Sequence, residues 1–182
     1  MDRSKMRGVQ LTGHGGPEVL EHSDEIPVPH PGPGDVLIRV SAAGVNNTDI
    51  NTRVGWYSKG DNEADDAGWT GEALQLPRIQ GADVCGRIVE VGSGVDSRRI
   101  GERVLIEPSL QYAEGRKLDA PWYLGSECDG GFAEFVKVAG VHAHKVDSPM
   151  SDVDLASFPC SYSTAENMLT RAKVCLLYTS PS

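Results

Sequence analysis

PGPGDVLIRVSAAGVNNTDINTRVGWY, residues 31–57, is the stretch that decides the fold. The run from Pro27 to Gly34 carries four prolines. Each fixes φ and removes an amide donor, so this run is an extended connection outside any strand ladder. Alternation then sets in: Val36, Ile38 and Val40 share one side and Leu37 and Arg39 the other, which predicts a strand over Asp35 to Ala43 with one face buried. Gly44 to Asp49 turns the chain into a short helix through Arg53, with Asn47 or Thr48 as the predicted N-cap. Polar side chains therefore crowd a strand-to-helix corner.

Working outward, Val9 to Leu11 and Val19 to Ile26 read as short strands about the turn Gly13 to Pro17. Residues Ser58 to Ala73 are rich in glycine and acidic side chains, without apolar periodicity, and read as an irregular surface loop. Gly81 to Val95, GADVCGRIVEVGSGV, supplies Val84, Ile88, Val89 and Val91 for a strand, and Arg103 to Ile106 supplies another. A second irregular stretch is predicted over Glu107 to Glu127, then strands at Phe132 to Val138 and His142 to Val146. Strands at this spacing predict a closed or partly closed β-barrel. The period changes only at Ser151, where Ser151-Asp152-Val153-Asp154 forms a weak capping box, and Ser163 to Lys173 holds a further helical run.

The whole chain has 182 residues, 39% hydrophobic and 24% charged, with a net charge of -9. That length and composition suit one packed domain and little more. An acidic balance without a Lys/Arg run argues against a nucleic-acid partner, because phosphate binding needs a clustered positive footprint. No stretch approaches the roughly 20 apolar residues that span a bilayer, and the basic, polar amino end lacks an apolar signal core. A soluble, cytoplasmic protein is expected. Cys85, Cys128, Cys160 and Cys175 are scattered without a C-x-x-C pair, so reduced thiols are expected rather than a disulfide scaffold or a four-cysteine zinc ribbon.

Six collinear pieces resemble the medium-chain dehydrogenase/reductase superfamily, in its GroES-like catalytic domain: residues 11–21, 31–57, 79–95, 100–106, 129–138 and 158–169. The resemblance implies a mainly β fold with short helices, a GroES-like partly open β-barrel over residues 1–150. Linker helices over 151–174 then lead toward a Rossmann domain. The ending Cys175 to Ser182 departs from the family's continuation into the first Rossmann strand and reads as a non-native tail on a truncated reading frame. No G-x-G-x-x-G turn with strand-to-helix context is present, so the nicotinamide cofactor, NADPH or NADH, is expected to be bound mainly by a part beyond Val174.

Within that superfamily the chain is similar to the NADPH:quinone oxidoreductase branch. In zinc alcohol dehydrogenases, G-V-C-x-T-D supplies a thiolate ligand, and here that position is Asn46. The His of their G-H-E motif is replaced in Gly81-Ala82-Asp83-Val84 by the methyl of Ala82. Cys160, ahead of Ser163-Thr164, does match their third ligand, but one soft ligand cannot hold a catalytic zinc. The structural zinc lobe should lie between Ile106 and Gly130, where only Cys128 stands. Neither zinc is expected.

The resemblance places Asn46, Thr48, Asp49 and Tyr57 around the substrate and nicotinamide, with Asn46, Cys160 and Thr164 toward the cofactor. A metal-free reductase must polarise a carbonyl or quinone oxygen with hydrogen-bond donors as a hydride arrives, and amide, hydroxyl and phenol groups can do so. Each residue has a blander reading: Asn46 to Asp49 as helix cap and turn, Tyr57 as packing for Trp56, Thr164 as a back-bonded helix threonine, Cys160 as a small buried hydrophobe. His142 and His144 would share a strand face and read as a solvated surface pair rather than a metal pair. The expected activity is NAD(P)H-dependent reduction of a quinone, an enone or a reactive carbonyl, with a small-molecule substrate, no nucleic acid and no membrane. The intact enzyme is expected to be a homodimer or homotetramer. The alternative is a stand-alone GroES-like binding or chaperonin-like module.

Overall fold

The structure is a computed structural model, which describes residues 4–58 and 73–173. The predicted loop at Ser58 to Ala73 and the tail at 175–182 fall largely or wholly outside the described residues.

Strand β3 (Asp35–Gly44) is the centre of the molecule. It pairs antiparallel with β5 (Asp83–Val91) on one side and β9 (Phe135–Ala139) on the other. Strands β6 (Arg103–Ile106) and β10 (Ala143–Lys145) extend the β5 edge, giving a five-stranded antiparallel sheet in the order β10-β6-β5-β3-β9. Strand β1 (Lys5–Leu11) lies between β2 (Leu20–Pro27) and the two-residue β4 (Arg78–Ile79) in a second sheet. The segment before β9 laces the two sheets together: Val9 N donates to Phe132 O at 2.8 Å and Glu134 N to Arg7 O at 2.9 Å. The result is a curled half-barrel, as expected from the sequence.

Both faces of β3 are buried, not one. Val36 and Ile38 enter the main core with Val84, Ile88, Val104, Ile106 and Val136. Leu37, on the opposite face, enters a second core with Met6, Ile26, Ile79 and Phe135. The second sheet covers that face, so the near-continuous apolar run Val36-Leu37-Ile38 belongs to a strand sandwiched on both sides. Arg39 keeps its guanidinium at the rim, 5.7 Å over the Phe135 ring.

The stretch predicted to be irregular contains a hairpin, β7 (Ser109–Ala113) and β8 (Arg116–Tyr123). Its two-residue turn, Glu114-Gly115, has positive φ at both positions (53° and 73°), the twist that suits a tight hairpin. Leu110, on β7, and Leu124, just past β8, cap the main core. Charged residues along β8 and Pro121 masked the strand signal in the sequence. The predicted strand at Phe132 likewise starts later, at Phe135, because Phe132 and Glu134 are engaged in lacing the sheets.

Past the barrel, α2 (Asp152–Leu155) and α3 (Pro159–Arg171) follow. Ser151 Oγ accepts from Asp154 N at 3.1 Å, the predicted cap. Helix α3 begins four residues earlier than predicted, with Pro159 in its first turn, where a missing amide costs nothing. Among the described residues, no helix is long and apolar enough to cross a membrane.

Candidate functional site

The strand-to-helix corner after β3 is where the chemistry-bearing side chains meet. Helix α1 (Asn47–Arg53) is capped by Asn46, not by Asn47 or Thr48. The main chain turns one residue earlier than the sequence suggested because Asp49 reaches back, its Oδ2 accepting from Asn46 N at 2.8 Å. That return bond fixes Asn46 in extended geometry as the N-cap.

Asp49 is buried and holds the corner against the start of β5. Its Oδ1 accepts from Gly81 N at 3.1 Å, and its backbone carbonyl accepts from Gln80 Nε2 at 2.9 Å. Burial pushes the Asp49 carboxyl above the ordinary carboxylate range, opposed by its two backbone donors and helped by the nearby charge of Asp83.

The side chain of Asn46 lies between the first turn of α1, where it completes a capping box with Asp49, and the start of β5. Its Nδ2 donates to Asp83 Oδ2 at 2.9 Å. The other oxygen of Asp83 accepts from Cys160 N at 2.6 Å, in the first turn of α3. Burial raises the Asp83 carboxyl too, against the lowering from these two donors. Cys160 Sγ lies 2.9 Å from Tyr123 Oη, which β8 delivers from the hairpin. Burial raises the Cys160 thiol, the Tyr123 hydrogen bond opposes it, and the charges of Asp83 and Asp49 add to the rise. The phenol of Tyr123 is raised as well, first by burial and then by its bond to Cys160.

The structure therefore joins Asn46, Asp49 and Cys160, and adds Asp83, Tyr123 and Gln80. Thr48 sits on the first turn of α1 with its Oγ1 buried and without a hydrogen-bond partner among the described residues. A buried hydroxyl without a partner is costly, and such atoms concentrate where a ligand completes them. Thr164 does not join the group: its Oγ1 donates to Cys160 O at 2.7 Å, the back-bonded arrangement, and its side chain is exposed. Tyr57 lies on the 3-10 turn Trp56–Ser58, edge-on to Trp56 with ring centres 5.2 Å apart. Nothing ties it to Asn46.

The paired-histidine reading is overturned. His142 is not on the strand but in the 3-10 turn Gly140–His142, and it is buried. Its Nε2 accepts from the backbone N–H groups of Gln111 (3.0 Å) and Tyr112 (3.1 Å), docking β7. His144 is exposed. The two rings share no face.

Asp83 had a signal in the sequence, since it stands next to Ala82 in the piece quoted for the missing metal ligand. Tyr123 had none, because its hairpin was unreadable. Two of the three positions that the resemblance compares with zinc ligands carry no metal-binding side chain. Asn46 brings an amide engaged with Asp83 and Ala82 a methyl group, and beside Cys160 the carboxylates of Asp83 and Asp49 are already engaged by backbone donors. Among the described residues no three His, Cys, Asp or Glu side chains are grouped to hold a metal ion.

Fold and corner together define a GroES-like partly open β-barrel, with the polar corner tied to the first turn of the helix that follows it. Residues 32–148 match the alcohol dehydrogenase GroES-like domain, and the chain belongs to that family. It is 30% identical over 177 residues to an NAD-dependent alcohol dehydrogenase of Sulfurisphaera tokodaii, covering 93% of this chain and 48% of that protein. It is also 30% identical over 164 residues to a quinone oxidoreductase of Lama guanicoe, covering 90% and 40%. A solved structure of a candidate alcohol dehydrogenase from Sinorhizobium meliloti 1021 superposes with a TM-score of 0.83 at 44% identity, over 94% of this chain and 48% of that one. A cobalt- and zinc-bound thermostable alcohol dehydrogenase from Pyrobaculum aerophilum is also similar, with a TM-score of 0.73 at 29% identity, over 93% and 49%. The chain thus spans about half the length of these relatives.

Proposed function

We propose that this chain is the catalytic-side domain of an NAD(P)H-dependent, zinc-independent oxidoreductase that reduces a quinone, an enone or a reactive carbonyl. The observation that carries the reading is the corner itself: the Asn46 amide donor, the Thr48 hydroxyl buried without a hydrogen-bond partner among the described residues, and the methyl group of Ala82 where the zinc enzymes' motif has an imidazole. Hydrogen-bond donors held in a preorganised, water-poor setting stabilise an oxygen that gains negative charge. When bound, the nicotinamide supplies the hydride. Asn46 and Thr48 polarise the accepting oxygen, and Asp49 holds the corner rigid through its bonds to Asn46 N and Gly81 N. On this reading the intact enzyme works in the cytoplasm on a small molecule, as a homodimer or homotetramer.

The test is to read the source DNA through the codon for Val174 and assay the full product for NADPH and NADH oxidation with a quinone, an enone and an aldehyde, alongside its metal content. A strand and G-x-G-x-x-G turn in frame, with turnover in metal-free protein, support the reading. Stoichiometric zinc overturns the metal-free half of it. Turnover by the isolated 182-residue chain contradicts the expectation that the nicotinamide needs a second domain.

A further inference from the structure

We propose that Asp83 is a positioning residue for the reaction, the group that decides which end of the Asn46 carboxamide faces the substrate oxygen. The proposal rests on the reading of Asn46 given above and assigns to Asp83 a task that neither the sequence motifs nor the family match supplies. A carboxamide has two ends of similar shape and opposite polarity, and which way it points is set by the partner that one end finds. Here Nδ2 is held by Asp83 Oδ2 at 2.9 Å. That bond uses one Nδ2 hydrogen and keeps the carbonyl on the side of the Asp49 N–H in the capping box, so the second N–H is the group left to present. A flipped amide would set its carbonyl oxygen against the carboxylate and lose the donor.

Asp83 can do this because it is itself over-determined. It is only 3% exposed, it opens β5, and its second oxygen is fixed by Cys160 N at 2.6 Å. One side chain thus ties together the corner after β3, the first residue of β5 and the first turn of α3. A carboxylate suits the task better than an amide would. Two oxygens receive the two donors, whereas Asn at this position would face one of them with its own NH2 group. The titratable groups near it are Asp49, Cys160 and Tyr123. Burial holds the Asp83 carboxyl above its ordinary range. Such a placement is uneconomical for stability alone and typical of a group kept for what it orients.

Two arms test this. On the 15N-labelled chain, the Asn46 side-chain N–H signals are followed in wild type and in Asp83→Asn. They are expected to shift in the variant, while signals of the sheet core stay in place. Unchanged Asn46 signals in folded D83N overturn the proposal. Should D83N not fold, the wild-type chain serves: the Asn46 Nδ2 signals are expected to titrate together with the Asp83 carboxyl carbon, and independent titration overturns the proposal. In the full oxidoreductase, D83N is expected to lower kcat about tenfold with KM changed less than about threefold. Introduced into Asn46→Ala it should cost nothing more, because a residue acting through Asn46 has nothing left to orient. A full further loss of kcat in the double variant overturns the proposal. If the wild-type product reduces no quinone, enone or carbonyl, the reading of the site fails. The signals of Asn46 then decide alone whether Asp83 orients it.

Discussion

Replacing Gly81 by Ala perturbs the junction between β4 and the corner after β3, where Gly81 N donates to Asp49, and the cost can be worked from two terms. Gly81 has φ of +104°, a conformation that L residues rarely adopt. A non-glycine residue held there costs about 1–3 kcal/mol. The new methyl group would also lie 2.7 Å from Phe132 Cδ1 and 3.0 Å from Phe132 N. Phe132 cannot simply swing away, since its N–H donates to Gln80 O at 2.9 Å and its carbonyl receives Val9 N at 2.8 Å. Overpacking of this kind adds about 1–3 kcal/mol. A total near 4 kcal/mol is expected, a large share of the roughly 5–15 kcal/mol that holds a domain folded. With a urea slope of about 2 kcal/mol/M the midpoint should fall by about 2 M. Gly94→Ala is the internal control. Gly94 also has positive φ, +84°, but nothing lies within 4 Å of its added methyl. It should show the backbone term alone, and the difference between the two variants isolates the clash with Phe132. Equal losses for G81A and G94A in urea denaturation would refute the packing argument.

Leu124→Ala empties a side chain that is 1% exposed in the main core beside Leu110, and should cost about 3 kcal/mol by calorimetry or urea titration. A loss under about 1 kcal/mol would mean that the hairpin does not close that core. Tyr123→Phe removes the hydroxyl that lowers the Cys160 thiol against the dominant effect of burial. Cys160 should therefore ionise less readily, and its alkylation by iodoacetamide at mildly basic pH should slow; a faster reaction contradicts the assigned bond. His142 is held below its ordinary value of 6.5 by burial and then by the charge of His144. A histidine depressed in the folded state contributes stability that is present above its unfolded pKa and is lost as pH falls toward the folded value. In His142→Gln, which keeps an acceptor for β7, the decline below about pH 6.5 should flatten when urea midpoints are compared across pH. Parallel profiles for the two proteins would show that His142 titrates alike in the folded and unfolded states and that burial does not depress it.

Strands β3, β5 and β6 were legible because their signal is local. Alternation in Val36 to Val40 and the β-branched run Val84 to Val91 report burial without knowledge of what covers them. What covers them was not legible. That Leu37 is buried depends on the second sheet lying over it, and no periodicity within one strand states that. The hairpin failed for a different reason: Arg116, Lys117, Asp119 and Pro121 dilute an edge-like strand whose only buried side chains are Leu118 and Tyr123. His142 followed from the same failure, since its Nε2 is defined by the amides of a strand that had not been read. Of the site, Asn46, Asp49 and Cys160 were found through motif position. Tyr57 and Thr164 occupy their motif positions too, yet the structure gives one an aromatic neighbour and the other a backbone carbonyl.

The most telling part of the site is the part that costs stability. Asp49 and Asp83 are both raised above the ordinary aspartate value of 3.8 by burial, and each charge adds to the difficulty of ionising its surroundings. A carboxyl raised in the folded state contributes stability that is fully present below its unfolded pKa and is lost as pH rises through the folded one. Near neutral pH both groups therefore weaken the fold relative to its acid form, the reverse of the paired surface carboxyl of Glu134, which Arg7 N and the Arg7 guanidinium hold below its usual range. A sequence selected for barrel stability alone would fill these positions with apolar side chains of similar size. Two buried carboxyls that accept from Asn46 N, Asn46 Nδ2, Gly81 N and Cys160 N make sense if the corner must be held in one geometry. Backbone amides of Asn46, Gly81 and Cys160 and the Asn46 carboxamide hold that corner through the two carboxyls, and the cost in stability is consistent with that use.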